Sequence, residues 1–171
     1  MRLVKYTLLF LAALLIGLYI FMPKTQLYYK AEEFLAQKSI VIGNEKIESD
    51  LRSLRLLHPV VYFQGADLAR AEAVEIKPYL LINSVTVTNI EPLGIAKELG
   101  NITIENLSLK HSVLKPLYVK LESNGTFGEA NGYIDLKNHF LHIDITKPKN
   151  IQPLQRVLKK GEKGWYYESK F

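Results

Sequence analysis

His139 and His142 stand three apart in "HFLH", and Glu122, Glu129, Asp135 and Asp144 lie within one turn-rich stretch around them. Residues of these types can bind a metal, move protons or cleave a glycosidic bond. A transition-metal site takes three or four ligands, and residues three apart on a strand point to opposite faces. The two histidines therefore do not converge, and a chain with no cysteine has no thiolate to add. His58, ahead of Pro59, and His111, in an expected turn, offer no local partner. A carboxylate pair for sugar cleavage needs one acid held protonated. Alternation puts these four acids on outward or turn positions, where solvated carboxylates are ordinary. No G-x-S-x-G is present, and "GEKG" (161–164) lacks the length and the Lys-Ser/Thr of a phosphate loop. The sequence thus offers no catalytic residue, no cofactor site and no metal site, and a protein that is not an enzyme is expected.

The same stretch holds "ESNGT", in which Asn124 heads an Asn-x-Thr site with Glu122 two residues before it. That acidic extension is one some bacterial oligosaccharyltransferases require, so Asn124 is a candidate glycosylation position. Asn101 and Asn106 head two further Asn-x-Ser/Thr sites. The five residues also read as a tight turn, with positive φ expected at Asn124 and Gly125. "YFQG" (62–65) sits inside a continuous strand pattern and reads as native sequence.

The elements that carry these residues divide the chain into four parts. Residues 1–24 form an expected membrane anchor, since Tyr6 to Met22 carries no charge. A helix of about 17 residues spans roughly 25 Å, near the lower limit for a bilayer. Tyr6, Phe10, Leu15, Gly17, Tyr19 and Met22 mark this segment. Lys5 and Lys24 flank it and can snorkel outward. A cleaved signal peptide needs small residues at its cleavage site, and "LYIFMPKTQLYY" after Gly17 is bulky throughout. Arg2 and Lys5 favour a cytoplasmic amino terminus, which puts the rest of the chain outside the cytoplasm. The expected location is the inner membrane, single-pass, with a periplasmic C-terminal domain.

Residues 25–38 read as a juxtamembrane helix capped by Thr25, with Leu27, Ala31, Phe34 and Leu35 on one side. Residues 39–147 read as a β-rich domain. Its strands lie in "VVYF", "AEAVEI", "LLINSVTVTNI", "NITIENLSLK", "LYVKL", "YIDL" and "FLHIDI", with a bulge near Asn106. "KIESDLRSLRLL" fits either a helix or an edge strand, and "LGIAKEL" reads as a short helix. Asn124-Gly125 and Asn131-Gly132 are expected turns, and Lys137-Asn138-His139 joins the last two strands. Residues 148–171 read as a basic helix from Asn150 to Gly161 followed by an aromatic tail. The expected class is a mainly-β, β-rich α+β fold: a curved antiparallel sheet of about eight strands with two or three short helices on one membrane helix.

The net charge of +5 sits at the two ends. The first thirty residues carry Arg2, Lys5, Lys24 and Lys30 and no acid, and residues 146–171 carry seven Lys and Arg against Glu162 and Glu168. The middle is mildly acidic, which argues against a nucleic-acid face. Basic ends suit anionic headgroups.

Residues 71–145 resemble the type II secretion N-protein (GspN) and the wider AsmA-like envelope proteins. The matching stretches are "AEAVEIKPYLLINSVTVTNI", "NITIENLSLK" and "GTFGEANGYIDLKNHFLHIDI". The resemblance implies an inner-membrane anchor and a periplasmic β-rich domain without enzymatic activity. It covers about half of the chain and supplies no catalytic residues. The layout is also comparable to that of the lipopolysaccharide-export subunit LptC. The leading expectation is a non-enzymatic scaffold or assembly subunit of an envelope-spanning machine, of secretion-system or flagellar-motor type. Its oligomeric state would be set by the larger complex. Tyr118, Tyr133, Trp165, Tyr166 and Tyr167 are its candidate partner-binding residues. The alternative is an AsmA/LptC-like lipid-binding or lipid-transfer protein with an apolar groove, whose ligand is phospholipid.

Overall fold

β-Branched and alternating segments dominate the chain after residue 40, and a computed structural model shows them joined edge to edge. The structure describes residues 2–79, 81–100, 102–162 and 164–171. Leu80, expected at the start of a strand, and Asn101, at one Asn-x-Thr site, lie outside these. Helix α1 covers Arg2–Ile20 and α2 covers Lys24–Ala36. The strands are β1 (Ile40–Gly43), β2 (Lys46–Ser49), β3 (Leu54–Leu57), β4 (Val60–Phe63), β5 (Ala66–Arg70), β6 (Ala73–Pro78) and β7 (Ile82–Pro92). They continue with β8 (Ile104–Ser112), β9 (Tyr118–Gly125), β10 (Gly128–Asp135), β11 (Phe140–Pro148), β12 (Lys159–Gly161) and β13 (Gly164–Lys170).

All the pairings are antiparallel. From β6 to β11 each strand pairs with the next in sequence. Two flanking groups extend this meander. On one side β3 pairs β6 and β2 pairs β3, while β5 pairs the far end of β7 and carries β4 and β1. On the other side β13 pairs β11 and β12 covers the first residues of β13. The protein is mainly β with an antiparallel sheet as the sequence indicates, and thirteen strands are found among the described residues where about eight were expected.

"KIESDLRSLRLL" resolves into β2 and β3, because Leu54 and Leu56 alternate into the core with Arg55 outside. "LGIAKEL" forms a 3-10 helix over Gly94–Leu99. The expected helix at 150–161 is corrected to a single 3-10 turn, Gln152–Leu154, followed by β12. The aromatic tail is strand β13. The expected Asn-Gly turns are corrected as well. Asn124, Gly125, Asn131 and Gly132 all lie inside strands, and the turn between β9 and β10 is Thr126-Phe127. Gly128, just after it, takes the positive φ of 110°. Gly132 is needed for closeness: a methyl there would press on the His142 carbonyl oxygen and stand 3.0 Å from Ile143 Cα. The bulge lies at Glu105, one residue before its expected place. The turn before β11 is as expected, with His139 at φ 50°.

Paired residues share a face, so the registers sort the sheet into two sides. One side carries Leu54, Leu56, Val74, Ile76, Val85, Val87, Leu107, Leu109, Val119, Leu121, Ile143 and Ile145. The other carries the charged and hydroxyl residues. The apolar side is sealed in two places. Tyr28 of α2 packs with Leu54 and Leu56, and Phe127, Ala130, Ile145 and Ile151 form a second core against Leu154, Leu158 and Trp165. Outside these cores Val85, Val87, Leu107 and Leu109 are only half-buried.

Candidate functional site

Helix α2 lies over the first core. Pro23 precedes this helix and no side chain caps it, so Thr25 is not the cap the sequence suggested. Tyr28, Ala31, Glu32 and Leu35 line the space beneath it, Ala31 at its open edge, whereas Leu27 and Phe34 are exposed away from it. The apolar stripe was therefore placed correctly at Ala31 and Leu35 and wrongly at the other two. The Tyr28 hydroxyl donates to Glu45 Oε1 at 2.9 Å, which ties α2 to the turn between β1 and β2. Burial first, then this hydrogen bond, pushes the Tyr28 phenol well above its ordinary value.

Beneath the helix lies a cavity of about 340 Å³. Its floor is Leu56, Val74, Ile76, Val85 and Val87, its roof is Tyr28, Ala31 and Leu35, and Val61 and Ala69 close one side. Glu32 and Arg70 are the charged side chains at its wall. Val85 and Val87 pair with Leu109 and Leu107, so the apolar surface runs on from the cavity along the sheet. This volume and lining match the lower end of small-ligand pockets, mostly apolar with a few polar groups. Of the cavity's residues the sequence singled out Ala31 and Leu35, as one side of the helix, and none as a binding residue. The cavity's signal was there as the inward alternation of β3, β6 and β7, but that pattern reads equally as a filled core.

The predicted aromatic residues separate by parity. Tyr118, Tyr133 and Tyr166 lie on the polar face, where they form a cross-strand ladder with Phe140 and His142. The Tyr118–Tyr133, Tyr133–His142 and His142–Tyr166 ring centroids are 6.2, 5.5 and 5.9 Å apart. Trp165 and Tyr167 pair with Ile145 and Ile143 on the apolar face, and Trp165 packs into the second core. The five do not make one surface.

The polar face carries ion pairs. Glu122 accepts from Lys120 at 2.6 Å and Lys110 at 2.9 Å, and these lysines hold its carboxyl at about 2. Asp135 is buried and accepts from the backbone and side chain of Asn138 and from Lys137 N, which holds its carboxyl below the usual range, the Asn138 side chain foremost. Neither can serve as a neutral-pH acid. Glu129 meets Lys147 at 3.0 Å. Asp144 lies 3.0 Å from His142 Nε2, and Glu168 lies 3.1 Å from its Nδ1. His139 is in the turn, its ring against Phe171. His111 is in β8, not a turn, and its Nε2 meets the Pro116 carbonyl at 3.1 Å, a partner the sequence did not show. Among the described residues no group of three or more metal-ligating side chains is placed to hold an ion. Asn124 donates to Glu105 Oε2 at 2.9 Å from inside β9, and Asn106 is its neighbour in β8.

In the N-terminal segment Tyr6, Phe10 and Leu15 are exposed, Gly17 has open space beside it, and Met22 is half-buried. Tyr19 stacks on Tyr79, just after β6, at 6.2 Å, with its hydroxyl buried. Lys24 is buried, not extended outward as expected. Among the described residues no single helix is long and apolar enough to cross a membrane, while α1 and α2, bent by 59°, pass that test together.

No protein-family model, no curated protein and no solved structure matches the chain.

Proposed function

We propose that this chain is a membrane-tethered envelope protein, without catalytic activity, that holds an acyl chain of a lipid against its apolar sheet face. The observation that carries the reading is the cavity of about 340 Å³ under α2, continuous with half-buried valines and leucines along β7 and β8. A filled core would leave no such space, since protein interiors are close-packed. Exposed apolar side chains along α1 support a bilayer tether, which lies close enough to deliver lipid to α2. The resemblance of residues 71–145 to AsmA-like proteins points the same way. The ligand is an acyl chain, whether free or part of a phospholipid, and Arg70 at the wall suits its anionic end.

The test is photocrosslinking of the full chain in nanodiscs, with a diazirine on either a fatty acid or a phospholipid acyl chain. Labelled peptides should include residues 69–76 and 82–92 from whichever source binds, and Val87→Trp should abolish that labelling. Labelling confined to residues 2–20 would refute the reading.

A second reading, the scaffold subunit, is favoured by one feature. Strand β12 covers only Gly164 to Tyr166 of β13, so Tyr167 to Lys170 present an outer edge with no strand on it among the described residues. Such an edge can add a partner's strand. Envelope proteins co-purifying with the wild-type chain and lost on Tyr167→Pro would support it.

A further inference from the structure

Antiparallel pairing sends every second loop to the same end of the sheet. At one end this gathers the loops 50–53, 113–117 and 136–139, together with Tyr79 and Leu81 between β6 and β7 and with Phe171. Each tip carries a bulky apolar side chain in water. Leu114 is 84% exposed, Phe171 65%, Leu51 64%, Leu81 62% and Leu136 41%. At the opposite end Pro59 and Phe127 are buried, and so is Ile151 in the segment after β11, while Val157, Phe63 and Leu68 are 52%, 43% and 41% exposed. The most exposed apolar side chains of the sheet's loops therefore gather at the first end.

Two further observations fix what this end meets. Arg52, Lys115, Lys137 and Lys170 are exposed at it and make no ion pair among the described residues. The acids nearby are engaged: Asp50 accepts from Leu51 N, Asp135 from its own turn, and Glu168 from His142 and Lys159. Apolar tips with unpaired cations beside them are the composition of a surface that enters an anionic lipid interface. The other observation is position. Tyr79, just after β6, stacks on Tyr19 near the end of α1, so the tether leaves the bilayer beside these loops.

We propose that this end of the sheet is a membrane-contact surface, with the tips of four loops and Phe171 dipping into the headgroup layer of an anionic phospholipid bilayer. The strands then stand upright on the membrane. A nine-residue strand such as β8 lifts the opposite end about 30 Å from the surface. The proposal rests on the reading of α1 as a bilayer tether, and it does not depend on the acyl-chain site.

The chain has no cysteine, so single cysteines can be placed by substitution and labelled with an environment-sensitive fluorophore. The full chain with Leu114→Cys, Leu81→Cys, Val157→Cys or Phe10→Cys is reconstituted into vesicles of phosphatidylcholine and phosphatidylglycerol. These are exposed positions, so folding is not at issue. The labels at 114 and 81 should show blue-shifted emission and lose quenching by aqueous iodide. The label at 157 should stay quenched, and the label at 10 should be shielded most. Replacing phosphatidylglycerol by phosphatidylcholine should return the labels at 114 and 81 toward water. Labels at 114 and 81 that behave like that at 157, with position 10 shielded, overturn the contact surface while leaving the tether. A label at 10 open to iodide overturns the tether itself, and the contact surface with it.

Discussion

Gly132→Ala adds one methyl to the middle of β10. Intrinsic preference says this should help, because alanine exceeds glycine in a strand by roughly 0.5–1 kcal/mol. The structure says the opposite. The new carbon would collide with the His142 carbonyl oxygen and stand 3.0 Å from Ile143 Cα and 3.1 Å from its Cγ1. These first two neighbours are backbone atoms of β11, a strand paired on both sides, by β10 and β13. They cannot swing away as a side-chain end could. Relief requires moving one strand off another, and overpacking of this kind costs about 1–3 kcal/mol. For a chain of this size each kcal/mol moves the melting temperature by about 2–4 °C, so a fall of about 2–12 °C is expected. The chain's one tryptophan reports it, since Trp165 lies on β13 against Ile145. Fluorescence melts of the full chain should show the fall for Gly132→Ala and none for Gly17→Ala, where nothing lies within 4 Å of the added carbon. An unchanged or raised melting temperature for Gly132→Ala would refute the close approach of β10 and β11.

Leu56→Ala removes a side chain that is 2% exposed and packs with Tyr28 and Leu54. It should cost about 2–5 kcal/mol, read from the denaturation midpoint, while the enlarged cavity still takes a photoactivatable acyl chain. Glu122 titrates low in the folded chain because Lys120 and Lys110 donate to it, so its contribution is complete above its ordinary 4.5 and lost as pH falls toward about 2. Exposure screens this pair and keeps the effect small. The gap in melting temperature between the wild type and Lys110→Met/Lys120→Met should close between pH 4.5 and 2 and shrink in high salt. A gap that widens on acidification would contradict the assignment.

Much of the sheet was legible because a two-residue period survives in β6 to β11 with only one bulge and one register shift. Val119 and Leu121 against Lys120, and Leu141, Ile143 and Ile145 against His142 and Asp144, fall where alternation puts them. Three errors have physical causes. Asn131-Gly132 reads as a turn because the dipeptide favours positive φ, but here glycine serves a close backbone approach, which only the neighbouring strand reveals. Leu154, Val157 and Leu158 have helical spacing, yet Pro153 and the glycines at 161 and 164 leave room for one turn, and the leucines pack as a lid on the second core. β13 was missed because its register with β11 spans a long connection that no local pattern encodes. The cavity lay hidden for the same reason: alternation tells which residues point inward, and only the placement of α2 tells whether they meet anything.

The succession of β6 to β11, in which each strand lies beside the one just before it, also bears on how the molecule is made. Local pairings close short loops and form quickly. A chain emerging lengthwise from a pore can therefore zip up hairpin by hairpin, without waiting for its end. Four closures stand apart: β1 onto β4, β3 onto β6, β5 onto β7, and β13 onto β11 once the connection after Pro148 has wrapped round. These late seams are where a slow kinetic phase, and a misassembled intermediate with a bare flank, would arise.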